Sequence, residues 1–180
     1  MKIIEVDKNV IIKLRNAGIS DEMKTLESCS WLVLEEQNEK IIGAVGMGGL
    51  FHVSSIYIDK NFRGRSLGKT LQQTLVNEAK KRDYSFVIVF IDPTNVTSVK
   101  LHDSFGYKTI FRIHYSPQIT QEIKIRVFKS RGKIMEKFLS FFNTMIGIFI
   151  LACILKISRP LFTKVISYNE KEIPDPNIKW

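Results

Sequence analysis

Two short stretches of this 180-residue chain hold the residue types that do chemistry. In Arg63-Gly64-Arg65-Ser66-Leu67-Gly68-Lys69, two arginines, a lysine and two glycines lead into an apolar run with Leu67, Leu71 and Leu75 four apart. That spacing predicts a helix with one apolar face. The first turn of a helix leaves backbone N–H groups without partners, and they carry partial positive charge. Glycine lets backbone come close to a ligand and arginine adds charge-assisted donors, so the loop reads as an anion cradle. The competing reading is an ordinary strand-to-helix turn with solvated arginines. The second stretch is Asn95-Val96-Thr97-Ser98-Val99-Lys100-Leu101-His102-Asp103-Ser104-Phe105-Gly106-Tyr107. His102 is a side chain that exchanges a proton near neutrality. Asn95 can bond a polar ligand or cap a helix. For His102 the competing role is packing or capping within that helix. His52 is a further base by residue type, although a surface or core-satisfied histidine fits its place as well.

These residues need elements to position them, and the sequence predicts an alternating α/β order. Met1–Asp7 reads as a strand, Asn9–Asn16 as a helix stopped at Gly18, and Asp21–Ser28 as a helix capped by Asp21. Ser30–Glu35 and Ile41–Met47 form a hairpin across the polar turn Glu36–Glu39. Leu50–Ile58 follows as a third antiparallel strand, and the helix Leu67–Arg82 comes after the anion loop. Tyr84–Ile91 is a nearly continuous apolar run, as in a central strand buried on both faces in a parallel pairing. Thr97–Phe105 is a helix with Gly106 as its stop signal. Lys108–Tyr115 and Glu122–Lys129 close the order as two strands joined at Ser116-Pro117.

Strand Ile56-Tyr57-Ile58, followed by Arg63-x-x-Ser66-x-Gly68, resembles the acetyl-CoA pyrophosphate loop of the GCN5-related N-acetyltransferase (GNAT) family, whose pattern is Gln/Arg-x-x-Gly-x-Gly/Ala. Ser66 stands where the first glycine is usual; its hydroxyl could cap the helix. Asn95, Ser98, Leu101, Gly106 and Tyr107 match that family's second signature, with His102 where tyrosine is commonest. The resemblance implies the GNAT fold, α/β with a mixed central sheet, and an N-acetyltransferase using acetyl-CoA as co-substrate. It implies that Arg63, Gly64, Arg65, Ser66, Leu67, Gly68 and Lys69 bind the pyrophosphate. Ile56, Tyr57 and Ile58 would pair with the pantetheine arm and donate an N–H to the acetyl oxygen. Asn95 would reach the pantetheine, and His102 would take the tyrosine's role as acid toward the departing sulfur. The amine acceptor is not legible.

The formal net charge is +9, and residues 122–180 carry 11 Lys/Arg against 5 Asp/Glu, so basicity concentrates in the last third. No basic-aromatic motif accompanies it, which argues against nucleic acid as the partner. Cys29 and Cys153 make no metal or redox spacing. Phe138–Leu155 is 18 residues without a charge, flanked by Lys133, Lys137, Lys156 and Arg159. At about 1.5 Å rise per residue this run suffices for a bilayer core. The expected organisation is therefore a GNAT-like domain over 1–130, a basic linker and C-terminal apolar helix over 131–157, and a tail over 158–180. A single-pass membrane protein follows, with its catalytic domain in the cytoplasm. Ser140, Thr144 and Gly147 form a small, polar stripe that could serve helix pairing, hence a homodimer. The alternative function is a non-catalytic module that holds CoA or another anion at a membrane.

Overall fold

The computed structural model describes residues 1–17, 23–49, 51–116, 119–147, 149–150 and 153. The expected cap at Asp21, the stop at Gly18, the turn at Pro117 and the tail lie outside the described residues. Seven strands form one mixed sheet: β1 (Lys2–Glu5), β2 (Trp31–Gln37), β3 (Lys40–Gly48), β4 (Val53–Ile58), β5 (Phe86–Ile91), β6 (Lys108–Ser116) and β7 (Ile119–Val127). Their spatial order is β1-β2-β3-β4-β5-β7-β6, and only β4 with β5 is parallel. The helices are α1 (Lys8–Asn16), α2 (Met23–Glu27), α3 (Leu67–Lys81), α4 (Val96–Ser104) and α5 (Ser130–Phe141), with a 3-10 turn at Lys60–Phe62. The α/β order expected from the sequence is the order found, up to β7.

The core has two sides because side chains alternate along each strand. Val87, Val89 and Ile91 of β5 pack with Leu71, Leu75, Val76 and Ala79 of α3. Phe86 and Ile88 point the other way, toward Ile110 and Phe111 of β6 and Met135 and Leu139 of α5. Leu14 of α1 and Leu26 of α2 pack on Leu32, Leu34 and Ala44. The β2–β3 turn is tighter than its sequence predicts. Asn38 and Glu39 both adopt positive φ, 49° and 63°. A two-residue turn of that kind matches strand twist, and it lets β2 run on to Gln37.

Two expectations for the last third are corrected. The single helix over 138–155 does not form: α5 ends at Phe141, and residues 142–144 are turn and bend. The cause is Thr144, whose hydroxyl donates to the Phe141 carbonyl and accepts from Gly147 N–H, at 2.7 and 3.1 Å. A hydroxyl that serves as an N-cap starts a new helix, and residues 145–147 are helical again. Among the described residues no helix is long and apolar enough to cross a membrane. The expected basic linker is likewise the start of α5. Lys124, one of the basic residues of the last third, is buried and bonded to Asp103 and Glu122 at 2.7 and 3.3 Å.

Candidate active site

Strands β4 and β5 pair at only two positions, Val53 with Ile88 and Ser54 with Val89. Beyond Ser54 the strands part, and β4 keeps its ladder only with β3. A parting parallel pair exposes backbone N–H and C=O groups on the edge that faces the gap. Two clefts open there. The larger, about 700 Å³, is lined by Ile56, Ile58, Arg63, Gly64, Ser66, Leu67, Gly68 and Lys69 from one side and by Asn95, Ser98, Lys100 and Leu101 from the other. The smaller, about 450 Å³, takes in Ser54, Ser55, Ile56, Phe90, Asp92, Asn95, Ser98, His102, Thr25 and Gln121. Ile56, Asn95 and Ser98 line both, so the clefts join.

The anion loop is built as a cradle. Gly64 has φ +78° and Ser66 φ +60°, which turns the backbone sharply into α3. Ser66 occupies the N-cap position but makes no side-chain cap bond. The expected hydroxyl cap is therefore absent, because the left-handed backbone replaces the extended geometry that such caps use. The first-turn N–H groups of α3 have no helical acceptor by geometry, and Ser66, Leu67, Gly68 and Lys69 all line the larger cleft. Gly68 serves packing too: a Cβ there would meet Ile58 Cδ1 at 2.8 Å. Arg63 lines the cleft while its Nε donates to the Ile58 carbonyl at 3.2 Å. Arg65 stands apart, with its guanidinium over the Phe62 ring. Tyr57 points to the opposite face and packs against the α1–α2 cluster, so of the expected strand triplet only Ile56 and Ile58 line the cleft.

His102 is 3% exposed and lines the smaller cleft. Its Nδ1 lies 2.8 Å from the Ser98 carbonyl oxygen, which can only accept, so Nδ1 carries the proton. The Tyr107 ring meets the imidazole edge-on at 5.0 Å. Burial holds the His102 pKa below the ordinary histidine value; the Ser98 carbonyl raises it and the Lys124 ammonium lowers it further. The ring is then neutral near pH 7, with Nε2 as a proton acceptor. Asn95 caps α4, accepting from Ser98 N–H at 3.1 Å, and still lines both clefts. His52 is removed from the site. It sits in the turn before β4, at the closed end of the β4–β5 pair, wedged between the Tyr84 and Phe86 rings. It lines neither cleft.

Ser54, Phe90, Asp92, Lys100 and Gln121 line the clefts although the sequence did not single them out. Ser54-Ser55 within an apolar strand, and a lysine five residues after Asn95, were the signals available. Gln121 had none, since only the sheet order brings β7 beside β5.

Residues 11–107 match the family model described as Acetyltransferase (GNAT) family, more than half of the chain. The chain belongs to the GNAT acetyltransferase family. The family is one of acetyltransferases, the class that the resemblance in the sequence implied, and GNAT-fold proteins use acetyl-CoA as co-substrate. The chain is 26% identical over 113 residues to N-acetylaspartate synthetase of Xenopus tropicalis, covering 59% of this chain and 41% of that protein. It is 29% identical over 93 residues to human N-acetyltransferase 8B, covering 45% of this chain and 39% of that one. The chain thus spans less than half the length of these relatives. Among solved structures, the ribosomal-protein-S18-alanine N-acetyltransferase of Escherichia coli superposes with TM-score 0.59 at 16% identity, over 71% of this chain and 94% of that one. A Salmonella typhimurium protein solved with its cofactor acetyl-CoA superposes with TM-score 0.54 at 15% identity, over 72% of this chain and 94% of that one. At these identities the likeness establishes the fold. The residues present suit the co-substrate: an uncapped, left-handed entry to α3 with Arg63, Lys69 and Lys100 lining its cleft, and a parted strand edge leading inward.

Proposed function

We propose that this GNAT chain moves the acetyl group of acetyl-CoA to a primary or secondary amine. The parting of β4 from β5 after two residue pairs carries the reading, because it joins the anion loop to the His102 cleft through one channel. The first-turn amides of α3, with Arg63 and Lys69, hold the pyrophosphate. Backbone of Ile56–Ile58 pairs with the amide-rich arm, and a strand N–H stabilises negative charge on the acetyl oxygen. Asn95, at the joint of the clefts, orients that arm. His102 accepts the proton that the acceptor amine must shed. Its Nδ1–H is committed to Ser98, so Nε2 is better suited to taking a proton than to giving one to the departing sulfur.

The described lining of the smaller cleft holds one carboxylate, Asp92, and no lysine or arginine. Thr94 N–H and hydroxyl hold the Asp92 carboxyl below the usual carboxylate range. An ionised Asp92 favours a cationic amine over a dicarboxylic amino acid. Labelled acetyl-CoA offered with a panel of polyamines, aminosugars, peptides and amino acids tests the reading. Transfer to an amine with release of the CoA thiol is the expected result. Tight acetyl-CoA binding without transfer to any amine would instead make the chain a binding module.

A further inference from the structure

Helix α5 presents two unlike sides. Its inner side is seated firmly on the sheet: a Cβ on Gly132 would meet the Ser85 carbonyl oxygen at 2.2 Å, and Met135 and Leu139 pack on the Phe86–Ile88 cluster. Its outer side carries Ile134, Phe138 and Phe141, four and three residues apart, at 69%, 52% and 41% exposure. Met145, Ile146 and Phe149 continue the exposed apolar surface beyond the break. Apolar residues gathered in this way mark a contact surface. Lys133 and Lys137 stand one position before Ile134 and Phe138 and have no ion-pair partner among the described residues, while Glu136 is drawn to Lys108 at 3.5 Å.

We propose that α5 lies flat in an anionic lipid surface, with Ile134, Phe138 and Phe141 among the acyl chains and Lys133 and Lys137 on headgroup phosphates. An amphipathic helix with an apolar stripe edged by lysine binds the interface in this way. The lysines decide the occupant: a second copy stacked on this stripe would bring like charges together, whereas lipid phosphates answer them. The break at 142–144 keeps the helix short, so it lies in the interface instead of spanning it. Phe90, 43% exposed, projects from the same face of β5 as Phe86 and Ile88, so docking turns the acceptor side of the cleft toward the lipid. This docking does not depend on acetyl transfer.

Co-sedimentation of the full chain with phosphatidylcholine vesicles, and with vesicles that also hold phosphatidylglycerol, tests it. The anionic vesicles should retain the chain, and added salt should release it. The double change Lys133→Gln and Lys137→Gln should lower partitioning roughly 30-fold, at about 1 kcal/mol per lysine. Phe138→Ser should lower it roughly tenfold. Unchanged thermal midpoints show that these surface variants are folded. Equal retention by neutral vesicles, or variants that bind as well as the parent, would overturn the proposal. So would resistance of the bound chain to alkaline extraction, which marks a spanning segment, or a dimer that Phe138→Ser dissolves in the absence of vesicles.

Discussion

His102 shows how two atoms decide what a residue can do. By type it can be acid or base, and the family resemblance put it in the acid's place. The Ser98 carbonyl accepts a hydrogen bond from Nδ1–H, and burial keeps the ring neutral. The folded pKa lies below the ordinary value, so the neutral ring's contribution to stability is fully present above about pH 6.5 and is lost as pH falls toward the depressed value. The acid limb of kcat/KM should follow the same direction. His102→Gln should reduce kcat by on the order of 100-fold and remove that limb, as read from a pH–rate profile. Ser66 offers the opposite case, a residue in a backbone conformation it does not favour. A non-glycine residue in the left-handed region costs about 1 kcal/mol. Ser66→Gly should therefore raise stability by about that amount in a denaturant titration and leave acetyl-CoA affinity equal or tighter by calorimetry.

At the scale of elements, the clefts depend on how α3 meets β4. Gly68→Val would drive its side chain into Ile58, 2.8 Å from where a Cβ would sit, and push the helix off the strand edge. Overpacking of this kind costs roughly 1–3 kcal/mol. Calorimetry should show acetyl-CoA binding lost while circular dichroism retains the helix content. Helix α5 is held by the mirror of that contact. Gly132→Val should loosen it from β5 and β7, read as faster amide exchange in α5 with the α3 amides unchanged. The strands and helix α3 were legible in sequence because short apolar runs and a four-apart apolar pattern are local, and α4 because Gly106 stops it. Helix α5 was not, because its inner residues Gly132, Met135 and Leu139 are interrupted by outward Ile134 and Phe138. An apolar stretch that faces both protein and exterior has no clean period, and the stretch read as one uncharged spanning run.

Across the whole molecule, Lys124 ties the sheet to α4. It is buried on β7, bonded to Asp103 and Glu122, and Arg112 shares Glu122. Removing one member of such a network leaves the others poorly paired. Lys124→Met should cost on the order of 1–3 kcal/mol in a thermal or denaturant melt. It should also shift the kcat/KM acid limb upward, because the cation that disfavours protonated His102 is gone. No local pattern marks Lys124 out from the other basic residues of β6 and β7. By itself the sequence determined the order of elements, the anion loop at Arg63–Lys69 and the second signature at Asn95–Tyr107, since each is written in residues adjacent along the chain. Only the tertiary structure decided that β4 and β5 part after Ser54, that His52 lies at the closed end and that His102 faces the cleft. It also brought Gln121 and Phe90 to the acceptor side. Those outcomes depend on which distant segments pair and how far they stay paired, and nothing in a local stretch of residues records that.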